Sequence, residues 1–570
     1  MKYVVVGGVA GGATAATRIR RNDESAHIVI LEKGDYISYA NCGLPYYIGG
    51  IIEERENLLA HTPESFRKRY NIEVKIRHEV IGIDSDHKTV LVREDNGNEY
   101  REKYDKLLLA PGASPIVPPI EGINSQGVFT LRNINNTDRI KHYIQTHNVK
   151  RAIVVGAGFI GIEMVDNLYH LGIEAIVIEK SNQVKHVLDR SMASILHAHM
   201  QEKGVQLYLE NEIIKVERNN NVLEISLKNG MHFTVDMVIL AIGVRPETRL
   251  ARETGIKIGA TGGIWVDEYL QSSISDIYAV GDAIEYPNPV SGKPWVNAMA
   301  NPANRQGTVA ADNMVFGNHT SYEGSIGTVL AKVFDMAAGA TGLNAKRLNT
   351  LKMSFRSAYI HSVSHAGYYP GATPLSIKLT FEPDTGKIYG VQCVGYEGVD
   401  KRIDQAAVFI KNGATIYDML KLEQAYAPPF SSAKDPLAVS AYVARNIISG
   451  KMPVVYWEDV YEADRNKVTI LDMRSPEEYA SGYIPGAINI PVDEIRSRMN
   501  EVPRNKPVYT YCHSGMRGYL SQQILLQNGF KEVYNLSGGY TTYMYATADE
   551  KERNIINPEM PESRNLKTGR

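Results

Sequence analysis

Apolar residues in the first half of the chain recur in one order, twice. An apolar run from Tyr3 to Val6 meets a glycine-rich turn, then a helical stretch to about Arg21, then a second run, HIVILE, that stops at Glu32. The order returns from Ala152: AIVVGAG, a helix through Leu171, and AIVIE ending at Glu179. Each repeat leads into a further strand and turn, LLLAPGASP from Leu107 and VILAIGVRP from Val238. Short apolar runs separated by helices predict βαβ units. From about Tyr322 to Asn446 the pattern turns to strands and helices without glycine-rich turns. From about Val455 to Thr547, strand VTILDMR, helix start SPEEY, loop GYIPGAINIP and strand VYTY predict a small, separate α/β unit. The polar, proline-containing end is expected to be disordered.

A chain of 570 residues is too long for one core and implies several domains. The formal net charge of −2 gives no basic excess for nucleic acid or an anionic membrane, and no apolar run approaches the ~18 residues that span a bilayer. The opening MKYVVVGGVAGGATAAT has the outline of a secretory leader, but it fits a nucleotide-binding turn whose acid follows on schedule, and that reading is preferred. Cys42, Cys393 and Cys512 are few, odd in number and far apart, which argues against a disulfide framework and for a reducing cytoplasm.

A βαβ unit with glycines at its first turn and an acid about twenty residues on is the dinucleotide fingerprint: the glycines admit the pyrophosphate to a helix N-terminus, and the acid takes the ribose hydroxyls. The second repeat is complete, with Gly156, Gly158, Gly161 and Glu179. The first has Gly7, Gly12 and Glu32, but Val9 stands where the middle glycine is expected. These turns, with DIYAVGDA around Asp282, resemble the two-dinucleotide-domain flavoprotein reductases. The resemblance implies FAD on the first domain, NAD(P)H on an inserted second one, Asp282 at the flavin ribityl chain and a homodimer. The expected nucleotide contacts are Gly7, Ala10, Gly11, Gly12, Glu32, Lys33, Gly281 and Asp282 on the flavin side. On the nicotinamide side they are Gly156, Gly158, Ile160, Gly161, Glu179 and Gly243. No metal is called for. LDMRSPEEY, the GYIPGA loop and CHSGMRG resemble a rhodanese domain, with Tyr483 where histidine is usual. The expected division is an FAD-binding domain at 1–116 and 246–321, an NAD(P)H-binding domain at 117–245 and an α+β dimerisation domain at 322–446. A linker at 447–454, a rhodanese α/β domain at 455–550 and a polar tail at 551–570 complete it.

Cys42 lies in SYANCGLPYY, just ahead of an expected helix, where unpaired N–H groups favour the thiolate that attack on sulfur requires. Reductases with an internal disulfide carry a second cysteine five residues on; here that residue is Tyr47. The sulfenate-using peroxidases and oxidases carry a histidine where this chain has Ala10, which disfavours peroxide chemistry. The strings SYANCGLPYYIGG, GVDKRIDQA and YAPPFSSAKDP resemble the coenzyme A-disulfide reductases. By that resemblance Thr14, Arg18, Arg21, Ser38, Asn41 and, from the other subunit, Lys434 contact coenzyme A. Tyr426 and Tyr368 (or the adjacent Tyr369) lie beside the sulfur, also from the other subunit. Arg18 and Arg21 share a helix face that suits phosphates, or else simply meets solvent. Cys393, in the apolar strand YGVQCVGY, reads as core.

Cys512 opens CHSGMRG, a tight loop whose N–H groups make an anion nest, with Arg517 adding positive charge; such a site carries a persulfide. The expected activity is NADH-dependent reduction of persulfide or polysulfide, with NADPH weaker, coenzyme A bound and the rhodanese domain delivering sulfane sulfur. The alternatives are a coenzyme A-disulfide reductase, an NADH oxidase or peroxidase, and a non-catalytic redox sensor.

Overall fold

The computed structural model describes residues 1–553, which form two compact units: Met1–Ser181 with Val205–Ser325, and Asn182–Gly204 with the chain from Ile326 onward. The expectation of disorder beyond residue 553 lies outside the described residues.

The first unit holds two all-parallel five-stranded sheets. One runs in the order Ile277–Ala279, Lys106–Leu109, Lys2–Val6, His27–Glu32, Glu73–Ile76. The other runs Gln206–Tyr208, Glu174–Ile178, Arg151–Val155, Met237–Leu240, Val128–Thr130. Val4, Val5, Ile28, Val29 and Ile30 are fully buried, as strands covered on both faces require. The crossover helices Ala10–Asn22 and Phe159–His170 each start at the C-terminal end of a first strand, so both glycine turns lie where parallel sheets bind ligands.

Residues 182–204 group with the second compact unit, where the Asp189 carboxylate is buried against Lys378 Nζ (2.8 Å), Gln392 Nε2 (2.6 Å) and the Ala345 N–H (3.0 Å). The centre of that unit is an antiparallel sheet ordered Val329–Val333, Met336–Gly342, Ile388–Gly395, Pro374–Phe381, Arg356–Val363. Cys393 is fully buried in it, and burial pushes its thiol far up. Below the sheet, Arg402 of helix Val399–Lys411 meets Asp435, the N-cap of helix Pro436–Ile448, at 2.7 Å, and neither side chain sees solvent. Burial alone would raise the Asp435 carboxyl; the hydrogen bonds and charge of Arg402, with Ser431, bring it below its ordinary value.

The rhodanese-like part has a parallel sheet ordered Val454–Val455, Val533–Leu536, Val508–Tyr511, Thr469–Asp472, Ile488–Asn489. This domain has its own sheet and core, as expected, and in addition packs on the sheet that precedes it. Arg356–Val363 is an edge strand, and this domain covers it. The Tyr456 hydroxyl accepts from the Ser357 N–H (2.9 Å) and donates to the Ser357 carbonyl (3.1 Å). Ser537 Oγ accepts from the Tyr359 N–H (3.3 Å), and His361 Nε2 meets Thr542 Oγ1 (2.7 Å). An edge strand needs its backbone groups paired, and these side chains pair them. The linker is shorter than expected, since the preceding helix runs to Ile448 and a strand begins at Val454. The last helix, Gly539–Arg553, likewise overruns the expected boundary at 550.

Asp435→Ala leaves Arg402 buried without its carboxylate, at a cost of about 3–5 kcal/mol. The melting transition of the second unit should fall by several degrees in differential scanning calorimetry. The wild-type contribution has a fixed sign: because folding depresses the Asp435 pKa, it is present above the unfolded value of about 3.9 and disappears as pH falls through the folded one. The gap between wild type and variant should therefore narrow in acid.

Candidate functional site

Both glycine turns are shaped by contacts that exclude side chains. A Cβ on Gly7 (φ +97°) would strike the Ala110 carbonyl oxygen, and one on Gly12 the Gly7 carbonyl oxygen. In the second turn Gly161 stands against the Gly156 carbonyl in the same way. Gly158 differs, because a Cβ there would meet nothing within 4 Å. The protein's own packing does not demand glycine at that position; a phosphate chain lying across the helix N-terminus does, so the cradle fits a dinucleotide. In the first turn Val9 is the N-cap residue of its helix, Ala10 follows at the first helical position, and Gly11 faces Val280.

The two acids are held identically. Glu32 accepts from the Gly8 N–H (2.8 Å) with one oxygen and from the Gly34 N–H (2.7 Å) with the other. Glu179 accepts from the Ala157 N–H (2.8 Å) and from Ser181 N–H and Oγ (2.8 and 2.9 Å). Each carboxylate thus ties the glycine turn to the end of the next strand. Lys33 is exposed, Ile160 lies in the first turn of its helix, and Gly243 takes φ +113°. Gly281 (φ +82°) gives its N–H to Gln306, and Asp282 accepts from Arg132 Nη2 at 2.9 Å. Arg132 carries no motif and is invisible as a partner in the sequence.

Cys42 is exposed in a single 3-10 turn, Asn41–Gly43, that leads into the helix Leu44–Ile48. Its thiol is raised above the ordinary value, first by partial desolvation and then by the charges of Glu163 and Asp282. The five-residue helix that follows has little dipole to set against these negative charges. Ser38 sits at φ +44° and donates its N–H to the Gly8 carbonyl (2.8 Å), which brings the cysteine loop onto the first glycine turn. Asn41 Oδ1 is buried without a hydrogen-bond partner, an acceptor ready for a ligand donor. Tyr47 is fixed by Lys141, whose ammonium lies 3.5 Å from the ring centroid.

Thr14 Oγ1 bonds Asn304 (2.8 Å). Arg18 is ion-paired with Asp312, which takes Nε at 2.6 Å and Nη2 at 3.0 Å. Arg21 is exposed. In the second unit Lys434 is also exposed, and the hydroxyls of Tyr368 and Tyr426 lie 2.8 Å apart on exposed side chains. Of the two adjacent tyrosines, Tyr368 therefore partners Tyr426, while Tyr369 packs edge-on against His365. The hydrogen bond from Tyr368 raises the Tyr426 phenol.

Cys512 is 1% exposed, and its sulfur accepts from the Gly515 N–H at 3.2 Å, the fold-back the nest requires. The loop backbone is clamped from behind: the Tyr540 N–H donates to the Cys512 carbonyl (2.8 Å) and the Thr541 N–H to that of His513 (3.0 Å). Arg517 makes a two-pronged pair with Glu478, at 2.6 and 2.7 Å. Sequence reading passed over Glu478, although the spacing Ser475 to Glu478 signals the capping box it also forms. Tyr483 is exposed and stacks on Tyr479 at 4.4 Å.

Three family descriptions match. Pyridine nucleotide-disulphide oxidoreductase covers residues 1–301, its dimerisation domain 329–438, and the rhodanese-like domain 458–546. A coenzyme A disulfide reductase of Staphylococcus haemolyticus is 34% identical over 447 residues, which is 78% of this chain and 100% of the relative. The solved structure of reduced Bacillus anthracis CoADR-RHD is similar at TM-score 0.93 and 45% identity, over 96% of this chain and 98% of that one. An NAD-dependent persulfide reductase from A. fulgidus gives TM-score 0.89 and 36% identity, over 95% and 100%.

Replacing Glu163 by Gln removes a negative charge that disfavours the Cys42 thiolate. The midpoint of Cys42 alkylation against pH, followed by peptide mass spectrometry, should move down by several tenths of a unit or more, at about 1.4 kcal/mol per unit. An unmoved midpoint would show that Glu163 does not act on the thiol.

Proposed function

Because this chain belongs to the pyridine nucleotide-disulphide oxidoreductase family and ends in a rhodanese-like domain, we propose that it is an FAD-dependent NADH:persulfide or polysulfide reductase that uses coenzyme A. The chain is an oxidoreductase acting on sulfur–sulfur bonds. The observation that carries the finer reading is the isolation of Cys42: no second cysteine stands at position 47, and the remaining two are buried. Its sulfur–sulfur partner is then an external molecule, and a rhodanese loop on the same chain supplies sulfane sulfur.

Bound FAD would carry the two electrons of NADH to the sulfur. Cys42 thiolate attacks the carbon-bearing sulfur of R–S–SH, forming Cys42–S–S–R and expelling hydrosulfide. Two electrons and one proton then return Cys42 thiolate and R–SH. Asn41 and Ser38 lie in the loop that would orient the thiol carrier. The exposed Tyr368–Tyr426 pair supplies a phenolic proton to the leaving sulfur across a homodimer. Gly7, Gly12 and Glu32 would hold the flavin nucleotide, and Gly156, Gly158, Gly161 and Glu179 the nicotinamide nucleotide. A coenzyme A-disulfide reductase uses the same residues; the domain that ends in the Cys512 loop favours the persulfide. No helix among the described residues is long and apolar enough to cross a membrane.

Cys42→Ser should retain FAD and still allow NADH to bleach the flavin, yet lose steady-state turnover with coenzyme A persulfide. Hydride transfer needs only the nucleotide sites, whereas sulfur attack needs the thiolate. Turnover within about tenfold of wild type overturns the proposal, since a loss of at most about 1.4 kcal/mol is too small for the removal of a nucleophile.

NADH should also have the higher kcat/KM. The buried Glu179 carboxylate binds ribose hydroxyls and repels a 2′-phosphate, and Lys180, the adjacent cation, is already engaged by Glu212 at 2.8 Å. Equal specificity constants for NADH and NADPH would remove this role from Glu179.

A further inference from the structure

The charged groups that converge on Cys512 cancel one another. Arg517 ends the loop, and both its terminal nitrogens donate to Glu478. Arg474 stacks over the Tyr540 ring at 4.3 Å, directly behind the loop, and is bound by both oxygens of Asp472, at 2.9 Å from Nε and 2.6 Å from Nη2. The remaining cationic candidate, His513, lies at the surface and is held below the usual histidine range, first by partial desolvation. Glu478 is ionised throughout the physiological range, because the Arg517 hydrogen bonds pull its carboxyl down to about 2. The fixed charge at the sulfur is therefore balanced before Cys512 ionises. The exposed surface beside the loop is apolar and aromatic, with Met516 74% exposed next to Arg517, Leu520 one turn on, and the Tyr479–Tyr483 stack on the helix end that carries Glu478.

We infer that Glu478 sets the donor class of this loop: by neutralising Arg517 it disfavours dianionic donors such as thiosulfate and reserves Cys512 for persulfides carried on a thiol. This rests on the reading above that Cys512 accepts sulfane sulfur. Glu478 touches no reacting atom; it is a positioning residue that acts through Arg517. With a persulfide, Cys512 thiolate attacks the outer sulfur of R–S–SH, the new bond gives Cys512–S–SH, and R–S⁻ departs with the electron pair of the broken bond. With thiosulfate the same attack gives Cys512–S–S⁻ and sulfite dianion. That reaction gathers three negative charges at the loop, against one or two for a persulfide, and only a free cation would offset the excess.

The test uses the full-length flavoprotein carrying Cys42→Ser, so that the reductase step does not consume the product. Loading of one sulfur onto Cys512 is followed by intact-mass spectrometry with thiosulfate and, separately, glutathione persulfide. Glu478→Gln keeps the capping box, since glutamine serves at that position, but removes the charge. The thiosulfate-to-persulfide rate ratio should rise about tenfold or more, and thiosulfate loading should become sensitive to salt. Ser475→Ala removes the box and keeps the charge, so it should change both donors alike. A ratio within about threefold of the parent, or an equal shift in Ser475→Ala, overturns the inference. With Glu478 intact, added salt should not slow thiosulfate loading; slowing would reveal an attractive cation and overturn it even if Glu478→Gln does not fold. Failure of both donors to load Cys512 overturns the reading beneath it as well.

Discussion

A backbone N–H that is neither in a helix nor in a ladder still needs an acceptor, and the functional loops of this chain exist where a distant residue supplies one. Glu32 and Glu179 pair the turn amides of Gly8 and Ala157 from the ends of neighbouring strands, so that each glycine turn is fixed open. Ser38 feeds its amide to Gly8 and thereby sets the cysteine loop against the first turn. Cys512 plays the acceptor itself, taking the Gly515 amide on sulfur. The edge strand Arg356–Val363 gains its acceptors from Tyr456 and Ser537. One requirement thus builds both glycine turns, positions Cys42 and Cys512, and joins the rhodanese-like domain to the sheet beside it.

That last junction changes how the two cysteines are to be regarded. A domain hung on a linker explores a volume, and its reactive loop meets partners at an effective concentration. Here the domain entry itself is pinned: the Pro453 carbonyl accepts from Gln522 and Asn535, and the Lys451 carbonyl from Gln523. His361, half-buried between Ser376 and Thr542 and pushed down to about 3 by desolvation and by His513, stays neutral and holds that contact across the physiological range. The Cys512 loop is thus held at a fixed place on the sheet that carries the family's dimerisation domain.

Charge follows the same economy of partners. Arg132 meets Asp282, Arg18 meets Asp312 and Arg517 meets Glu478, so that cations that look available along the sequence are already paired in the fold. Around Cys42 the balance runs the other way: the groups that reach the thiol are acidic, and its reactivity depends on what binds beside it.

The sequence by itself determined what local order and spacing encode. Glycines at fixed intervals before a helix, an acid at the end of the next strand, apolar runs too short for anything but strands, and a lone cysteine without a partner at position 47 are one-dimensional facts, and the parallel sheets and turns followed from them. Only the tertiary structure decided the pairings between residues far apart in the chain. Asp189 finds Lys378, Arg18 finds Asp312 almost three hundred positions away, and Tyr368, not the adjacent Tyr369, reaches Tyr426. The physical reason is the same in each case: a carboxylate or hydroxyl advertises its valence in the sequence, but which donor satisfies it is fixed by packing, and packing is not periodic.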